Sequence, residues 1–336
     1  MDSLCFRWRS LWAALLLLMS LPHFTSAQFA GAPRVRTFIF EYQTTVPAAP
    51  PGTRQLDVWL PVAHSDSAQD VQILQLDSPG KHTLTTSQHG NQLLHVHLRR
   101  PRQPVTVAVR YQVTRREHRA PQSTAGRIPM QDPDSARWLA PDRLVPLDDQ
   151  IRRWAREVVT EAHAATPLDQ ARAIYNHVVA TVKYDKTGQG WGRGDIYYAC
   201  DARHGNCTDF HALFIGYCRA LGIPARFSIG FPLPPERGSG EVKGYHCWAE
   251  FYTPQTGWVP IDASEAAKNP ARREYYFGTH DENRVEFTRG RDLTLTPRQQ
   301  GAPLNYFIYP YAEADGKPLE NLQHSFRYQD VLADEL

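Results

Sequence analysis

The stretch Gly205-Asn206-Cys207-Thr208-Asp209-Phe210 starts a helix on a cysteine, and its reading decides the fold. A cysteine attacks as thiolate, and its ordinary pKa of about 8.5 must be lowered by a helix N-terminus or a nearby imidazolium. Phe210, Leu213, Phe214, Tyr217, Cys218 and Leu221 recur at helical spacing, so an amphipathic helix is predicted from Cys207 to Leu221. Asn206 is the expected N-cap, Asp209 complements the positive helix end, and Gly222 with Pro224 supplies the stop. The Cys207 thiol then sits on the core-facing stripe at the positive end of the dipole. Cys218, further along that stripe, reads instead as a buried small hydrophobe.

A base for this thiol is found downstream. The run Tyr245-His246-Cys247-Trp248-Ala249-Glu250-Phe251-Tyr252, the turn cluster Thr253-Pro254-Gln255-Thr256-Gly257 and the run Trp258 to Ala263 predict a β-hairpin. With Tyr252 opposite Trp258, His246 falls opposite Ser264 and Asp262 is its diagonal neighbour on the same face. The other face, Cys247, Ala249 and Phe251 against Val259, Ile261 and Ala263, is apolar and expected to be core. Cys207, His246 and Asp262 are therefore the expected nucleophile, base and orienting carboxylate. His211, four residues along the helix from Cys207, is the competing imidazole; it is expected to be a solvated helix-surface residue.

Three motifs, Gly205-Asn206-Cys207, His246-Cys247-Trp248-Ala249-Glu250 and Gly257-Trp258-Val259-Pro260-Ile261-Asp262, together resemble the transglutaminase-like superfamily. The stretches Ala171 to Tyr175, Val182 to Tyr184 and Gly222 to Arg226 extend the resemblance over residues 140–300. It implies a papain-like α+β catalytic domain in which a Cys-His-Asp triad performs acyl transfer on amides. Bacterial members include proteases, amidases and transamidases, and no cofactor or metal is implied. In eukaryotic relatives a tryptophan indole upstream of the nucleophile serves the oxyanion. Trp191 invites that comparison, but its sixteen-residue spacing to Cys207 favours a wall of the substrate groove, alongside Tyr198 and Trp248. The expected activity is that of an exported cysteine-nucleophile enzyme on peptide or protein amides, with peptidase or amidase favoured. Protein-glutamine transamidation and a non-catalytic binding module of the envelope are the alternatives.

Arg7 and Arg9 precede the apolar run Leu11 to Met19, and Thr25-Ser26-Ala27 is a small-residue site. Residues 1–27 thus read as a secretory signal peptide, with no transmembrane anchor left after cleavage and a periplasmic or secreted location. In an oxidising compartment Cys200, Cys218 and Cys247 could form one disulfide while Cys207 stays free. Lys and Arg total 37 against 35 Asp and Glu, a net charge of +2 that leaves no nucleic-acid footprint. Arg99, Arg100, Arg102, Arg110, Arg115, Arg116 and Arg119 cluster, and are expected as a solvated basic surface where an anionic envelope polymer could bind.

Outside the catalytic segment the pattern changes. Short alternating runs such as 36–42, 55–60, 93–98 and 106–111 predict an N-terminal immunoglobulin-like β-sandwich of about seven strands over residues 28–115. A Pro- and Gly-containing linker is expected over 116–140, the catalytic domain over 141–300, and a C-terminal β extension over 301–336. Helices are expected from Asp148 and from Thr166-Pro167, and further strands at 284–296, 304–311 and 322–329.

Overall fold

Alternation of β-branched and aromatic residues with polar ones makes strands of the N-terminal third. The computed structural model describes residues 31–121 and 134–331, so the leader read at 1–27 lies outside the described residues. From Pro33 onward the protein forms one unit. Its first strands are β1 (Val35–Val46), β2 (Gln55–Val62), β3 (Gln69–Asp77), β4 (Lys81–Thr86), β5 (Gln92–Arg99) and β6 (Val105–Arg116), followed by the short β7 (His118–Arg119). The segment read as a linker is structured at both ends: β7 occupies one, and a 3-10 turn covers Ser135–Leu139 at the other. Residues 122–133 lie outside the described residues.

Helices and strands then alternate through the second half: α1 (Asp149–Glu161), α2 (Pro167–Thr181), β8 (Lys183–Tyr184), α3 (Ile196–Ala202), β9 (His204–Gly205), α4 (Cys207–Ala220), β10 (Ala225–Pro232), β11 (Ser239–Glu241), β12 (His246–Thr253), β13 (Gly257–Ile261), α5 (Ala263–Lys268), β14 (Thr279–His280), β15 (Arg284–Arg289), β16 (Tyr311–Ala314), β17 (Lys317–Pro318) and β18 (Gln323–Asp330). Asp148 caps α1 and Thr166 caps α2 through their side chains, where the sequence places those starts. The strand expected at 284–296 stops at Arg289. The segment expected as a strand at 304–311 is irregular until Tyr311, apart from a bridge between Leu293 and Leu304.

Three main sheets result, in the orders β11-β18-β1-β6-β3, β17-β16-β2-β5-β4 and β13-β12-β10-β15. Residues read as a C-terminal extension are thus integral to the first two sheets. Strand β18 lies between β11 and β1, pairing Phe38 with Asp330 through Thr45 with Gln323, and β16 pairs with β2. On β1, Phe38, Phe40, Tyr42, Thr44 and Val46 are all fully buried, the period-two pattern of a strand with one core face.

That buried face couples the N-terminal sheet to the third sheet. Phe40 stacks on Phe231 of β10 at 5.2 Å between ring centroids, Tyr42 meets Phe287 of β15 at 5.8 Å, and Phe326 of β18 lies 4.2 Å from Phe231. Aromatic pairs of this kind add about 0.5–1.5 kcal/mol each beyond the area they bury. A buried ion pair reinforces the junction: Arg36 donates through Nε and Nη2 to Asp330 at 2.7 and 2.9 Å, and through Nη1 to the Pro234 carbonyl and Asn283 Oδ1. The third sheet, which carries His246, is therefore held against a rigid wall.

Candidate active site

Helix α4 starts on Cys207 because its N-terminus is fully capped. Asn206 Oδ1 accepts the Thr208 N–H at 2.9 Å, and the Asp209 carboxylate reaches back to the Asn206 N–H at 3.0 Å, a complete capping box. The same carboxylate accepts the N–H groups of Gly192 and Gly194 at 2.7 and 3.0 Å, clamping the 188–195 loop onto the helix start. Gly205 is needed for this fold-back, since a Cβ there would lie 2.2 Å from Asp209 Oδ2. The expected amphipathic character is not realised. Every residue from Cys207 to Arg219 is buried, because α1, α2, α3 and α5 pack around α4 together with β10 and β12.

The hairpin forms with Tyr252 opposite Trp258, as its sequence implies. Strand β13 ends at Ile261, however, and Asp262 becomes the N-cap of α5, so Ser264 does not pair across from His246. Asp262 Oδ1 accepts the Glu265 N–H and the Ser264 hydroxyl, each at 3.0 Å. This capping role aims Oδ2 at His246 Nε2, 2.7 Å away, and at Arg284 Nη1, 3.1 Å away. With Nε2 engaged, Nδ1 is the nitrogen left for the thiol, and His246 and Cys207 each shift the other's titration toward its charged form. Opposite His246, Gly230 of β10 stands where the register with β15 shifts, Phe287 being the extra residue on β15, and a Cβ at Gly230 would lie 1.8 Å from the Val285 carbonyl oxygen. Both faces of β12 are buried, not one: α4 covers the face of Cys247 and Phe251, while His118, His280 and Arg284 cover the face of Trp248 and Glu250.

Charge in this cluster is strongly polarised. Burial alone would push the His246 imidazolium to lose its proton, but the Asp262 charge and hydrogen bond, with Cys207, raise its pKa to about 10. Burial likewise disfavours the Cys207 thiolate, yet hydrogen bonds to Cys247 and His246 and the charge of His246 hold it well below the ordinary thiol value. Asp262, despite complete burial, is kept ionised by His246 and Arg284. The stable state of the pair is therefore thiolate and imidazolium, and its titrations belong to the pair.

The surroundings contain residues that sequence reasoning missed or misplaced. His211 is not solvated but fully buried: its Nε2 accepts the Ala263 N–H at 3.2 Å, and its ring bonds the backbone of Cys207. Burial lowers its pKa, so it is neutral, and with Nε2 accepting, the proton resides on Nδ1. The i, i+4 spacing to Cys207 was the available signal. Arg284, on an alternating strand, stacks over Trp248 at 4.8 Å while holding Asp262. The Tyr245 hydroxyl accepts from Asn206 Nδ2 at 3.0 Å and lies 3.1 Å from Thr208 Oγ1, so it is fixed by the residues on either side of Cys207.

Of the three residues expected to wall a groove, Trp248 is fully buried and cannot, because its ring lies between His246, His280 and Arg284. Trp191 is half-buried on the clamped loop, with its indole N–H donated to the Gly188 carbonyl at 3.2 Å. Tyr198 packs beneath Gly190 and approaches His204 Nε2 at 3.4 Å. All four described cysteines are free thiols. The arginine cluster is not uniformly solvated: Arg115 is buried beside Gln69, while Arg116 and Arg119 pair with Asp70 and Glu117.

Among known families, residues 152–263 match the transglutaminase-like superfamily, and Cys207, His246 and Asp262 fall inside the matched stretch. An uncharacterized protein of Haemophilus influenzae is 34% identical over 198 residues, covering 49% of this chain and 54% of its own length. The uncharacterized protein YebA of Bacillus subtilis is 28% identical over 156 residues, 41% of this chain and 21% of its own. This chain therefore spans about half of the first relative and a fifth of the second. Among solved structures, a candidate cysteine protease from Cytophaga hutchinsonii aligns with a TM-score of 0.57 and 17% identity, over 90% of this chain and 92% of that one, a likeness of fold.

Proposed function

We propose that the protein is a cysteine-nucleophile enzyme that transfers acyl groups from amide bonds of a peptide or protein, with hydrolysis its normal outcome. The observation that carries this reading is the buried Cys207–His246–Asp262 chain, poised as thiolate and imidazolium at a helix N-terminus. Cys207 Sγ attacks the carbonyl carbon. His246 gives its Nδ1 proton to the leaving amine, and the resulting thioester is released by water, with His246 now taking a proton from it. Asp262 and Arg284 keep the imidazole oriented throughout. The Cys207 N–H, at the first helical position and without an intrahelical partner, is one donor for the oxyanion, and the Tyr245 hydroxyl is our candidate for the second.

Export to the periplasm or medium is part of the same reading, supported by the charged, apolar and small-residue pattern of residues 1–27. No helix among the described residues is long and apolar enough to cross a membrane. In dilute extracellular amine, water outcompetes amines for a thioester, which favours peptidase or amidase chemistry over cross-linking. We also read the N-terminal sheets as immunoglobulin-like, since the β2-β5-β4 and β3-β6 pairings are those of strands B-E-D and C-F in such sandwiches. The test is incubation with a glutamine-containing peptide and a labelled primary amine. Cleavage or ammonia release without incorporation, abolished in Cys207→Ala, is expected; amine incorporation would establish transamidation instead. No turnover of any amide and no alkylation of Cys207 in folded protein would overturn the enzymatic reading.

A further inference from the structure

The proposed mechanism leaves one nucleophilic group at the site unused. Cys247, the second residue of β12, is fully buried, with its sulfur packed against the first turns of α4, which begin on Cys207. Its Sγ lies 3.8 Å from Thr208 Oγ1 and 3.7 Å from His211 Nδ1, the nitrogen that carries the proton in the neutral ring. The two thiols, one at the first position of a helix and the other on a paired strand that packs on the same turn, are held on rigid elements, not on loops. Among the described residues the remaining cysteines do not compete: Cys218 is buried further along α4, and Cys200 on α3 lies 3.6 Å from the Tyr217 hydroxyl.

We propose that Cys247 is the resolving thiol of Cys207, so that oxidation of the nucleophile by a peroxide ends in a reversible Cys207–Cys247 disulfide that switches acyl transfer off. This inference rests on Cys207 being the reactive nucleophile. In the first step Cys207 thiolate attacks a peroxide oxygen; the O–O bond breaks, hydroxide leaves, and Cys207 becomes a sulfenic acid. In the second step Cys247 sulfur attacks Cys207 sulfur, the S–O bond breaks, and the departing hydroxide takes the Cys247 proton as water. Two thiols are oxidised by two electrons while one peroxide is reduced. His211 assists by position: its Nδ1, which carries the ring proton, lies 3.7 Å from the Cys247 sulfur and adds positive potential there as the thiol proton leaves. The disulfide removes the thiolate from the reaction and forestalls the irreversible sulfinic acid to which an isolated sulfenic acid proceeds.

The test uses the full chain. Reduced protein is first labelled with iodoacetamide; failure of Cys207 to label in folded protein overturns both the nucleophile and this proposal. If Cys207 labels, unlabelled protein is treated with hydrogen peroxide and examined by intact mass, peptide mapping and iodoacetamide reactivity before and after dithiothreitol. The expected product is lighter by two hydrogens, yields a peptide pair joining Cys207 to Cys247, and loses more than about tenfold of its Cys207 reactivity, restored by dithiothreitol. Cys247→Ser and Cys247→Ala should instead gain two oxygens at Cys207 and recover nothing. A wild-type product carrying two added oxygens and no linked peptide, or equal recovery in the Cys247 variants, would overturn the proposal while leaving the nucleophile intact. The linked peptide is read on wild type, so the outcome does not depend on how the variants fold.

Discussion

Replacing Asp262 by asparagine isolates the electrostatic half of the site. The side chain keeps its size, and its remaining oxygen can still accept the Glu265 N–H and Ser264 hydroxyl, so the start of α5 is preserved. The new amide NH2 faces two donors, His246 Nε2 and Arg284 Nη1. To avoid that clash His246 must give up its Nε2 proton and keep the one on Nδ1, which is the tautomer unable to accept a proton from Cys207. The magnitude follows from the pKa of His246. Its displacement from 6.5 to about 10 is equivalent to about 5 kcal/mol, shared between Asp262 and Cys207. Loss of the carboxylate should therefore remove about 3–4 kcal/mol, or about 10²–10³-fold in the rate of Cys207 alkylation by iodoacetamide at pH 7. Alkylation is followed by intact mass, with Cys207→Ala as the blank and thermal melting as the folding control. An Asp262→Asn protein that melts like wild type and alkylates at the wild-type rate would refute the ion-pair account.

Three further outcomes are expected. Amide turnover should be bell-shaped in pH: below the pair's lower titration the thiolate gains a proton and activity falls, and above about pH 10 His246 loses the proton it must give the leaving amine, measurable as kcat/KM against pH. Tyr245→Phe should lower kcat about 10–100-fold with little change in iodoacetamide reactivity, since the hydroxyl is assigned to the oxyanion and not to the thiolate; equal loss of both would remove that assignment. Arg36→Met, which strands a buried Asp330, should cost about 3–5 kcal/mol and lower Tm by about 10 °C, with an unchanged melt arguing against the ion pair as a clamp between sheets.

Much of the site was legible because its signals are local. The cap at Asn206, the stop at Gly222 and the Tyr252–Trp258 register each depend on residues within a turn or two, and spacing reports them faithfully. What local pattern could not show was coverage. The pattern makes Trp248 a groove wall and His211 a solvated residue because periodicity assigns faces without saying whether a second layer lies on them. Here α5, β10 and the Arg284 strand fill those spaces. Arg284 and Tyr245 were invisible for a related reason: each acts across a separation of 22 to 39 residues, with no motif to link it to its partner. The two-sheet closure was equally non-local, since nothing in the spacing of the tail announces that it joins β1.

That closure sets an order of events during synthesis. Strand β1 cannot acquire its full complement of neighbours until Asp330 has been made, nearly three hundred residues after Phe38, its partner in the register. At about 5–20 residues per second a ribosome needs tens of seconds for that interval, during which one side of β1 presents unsatisfied backbone groups. The aromatic wall behind the third sheet is likewise incomplete until Phe326 arrives. A nascent chain is thus a waiting template: it stays exposed to chaperones and to other strands until this ladder zips.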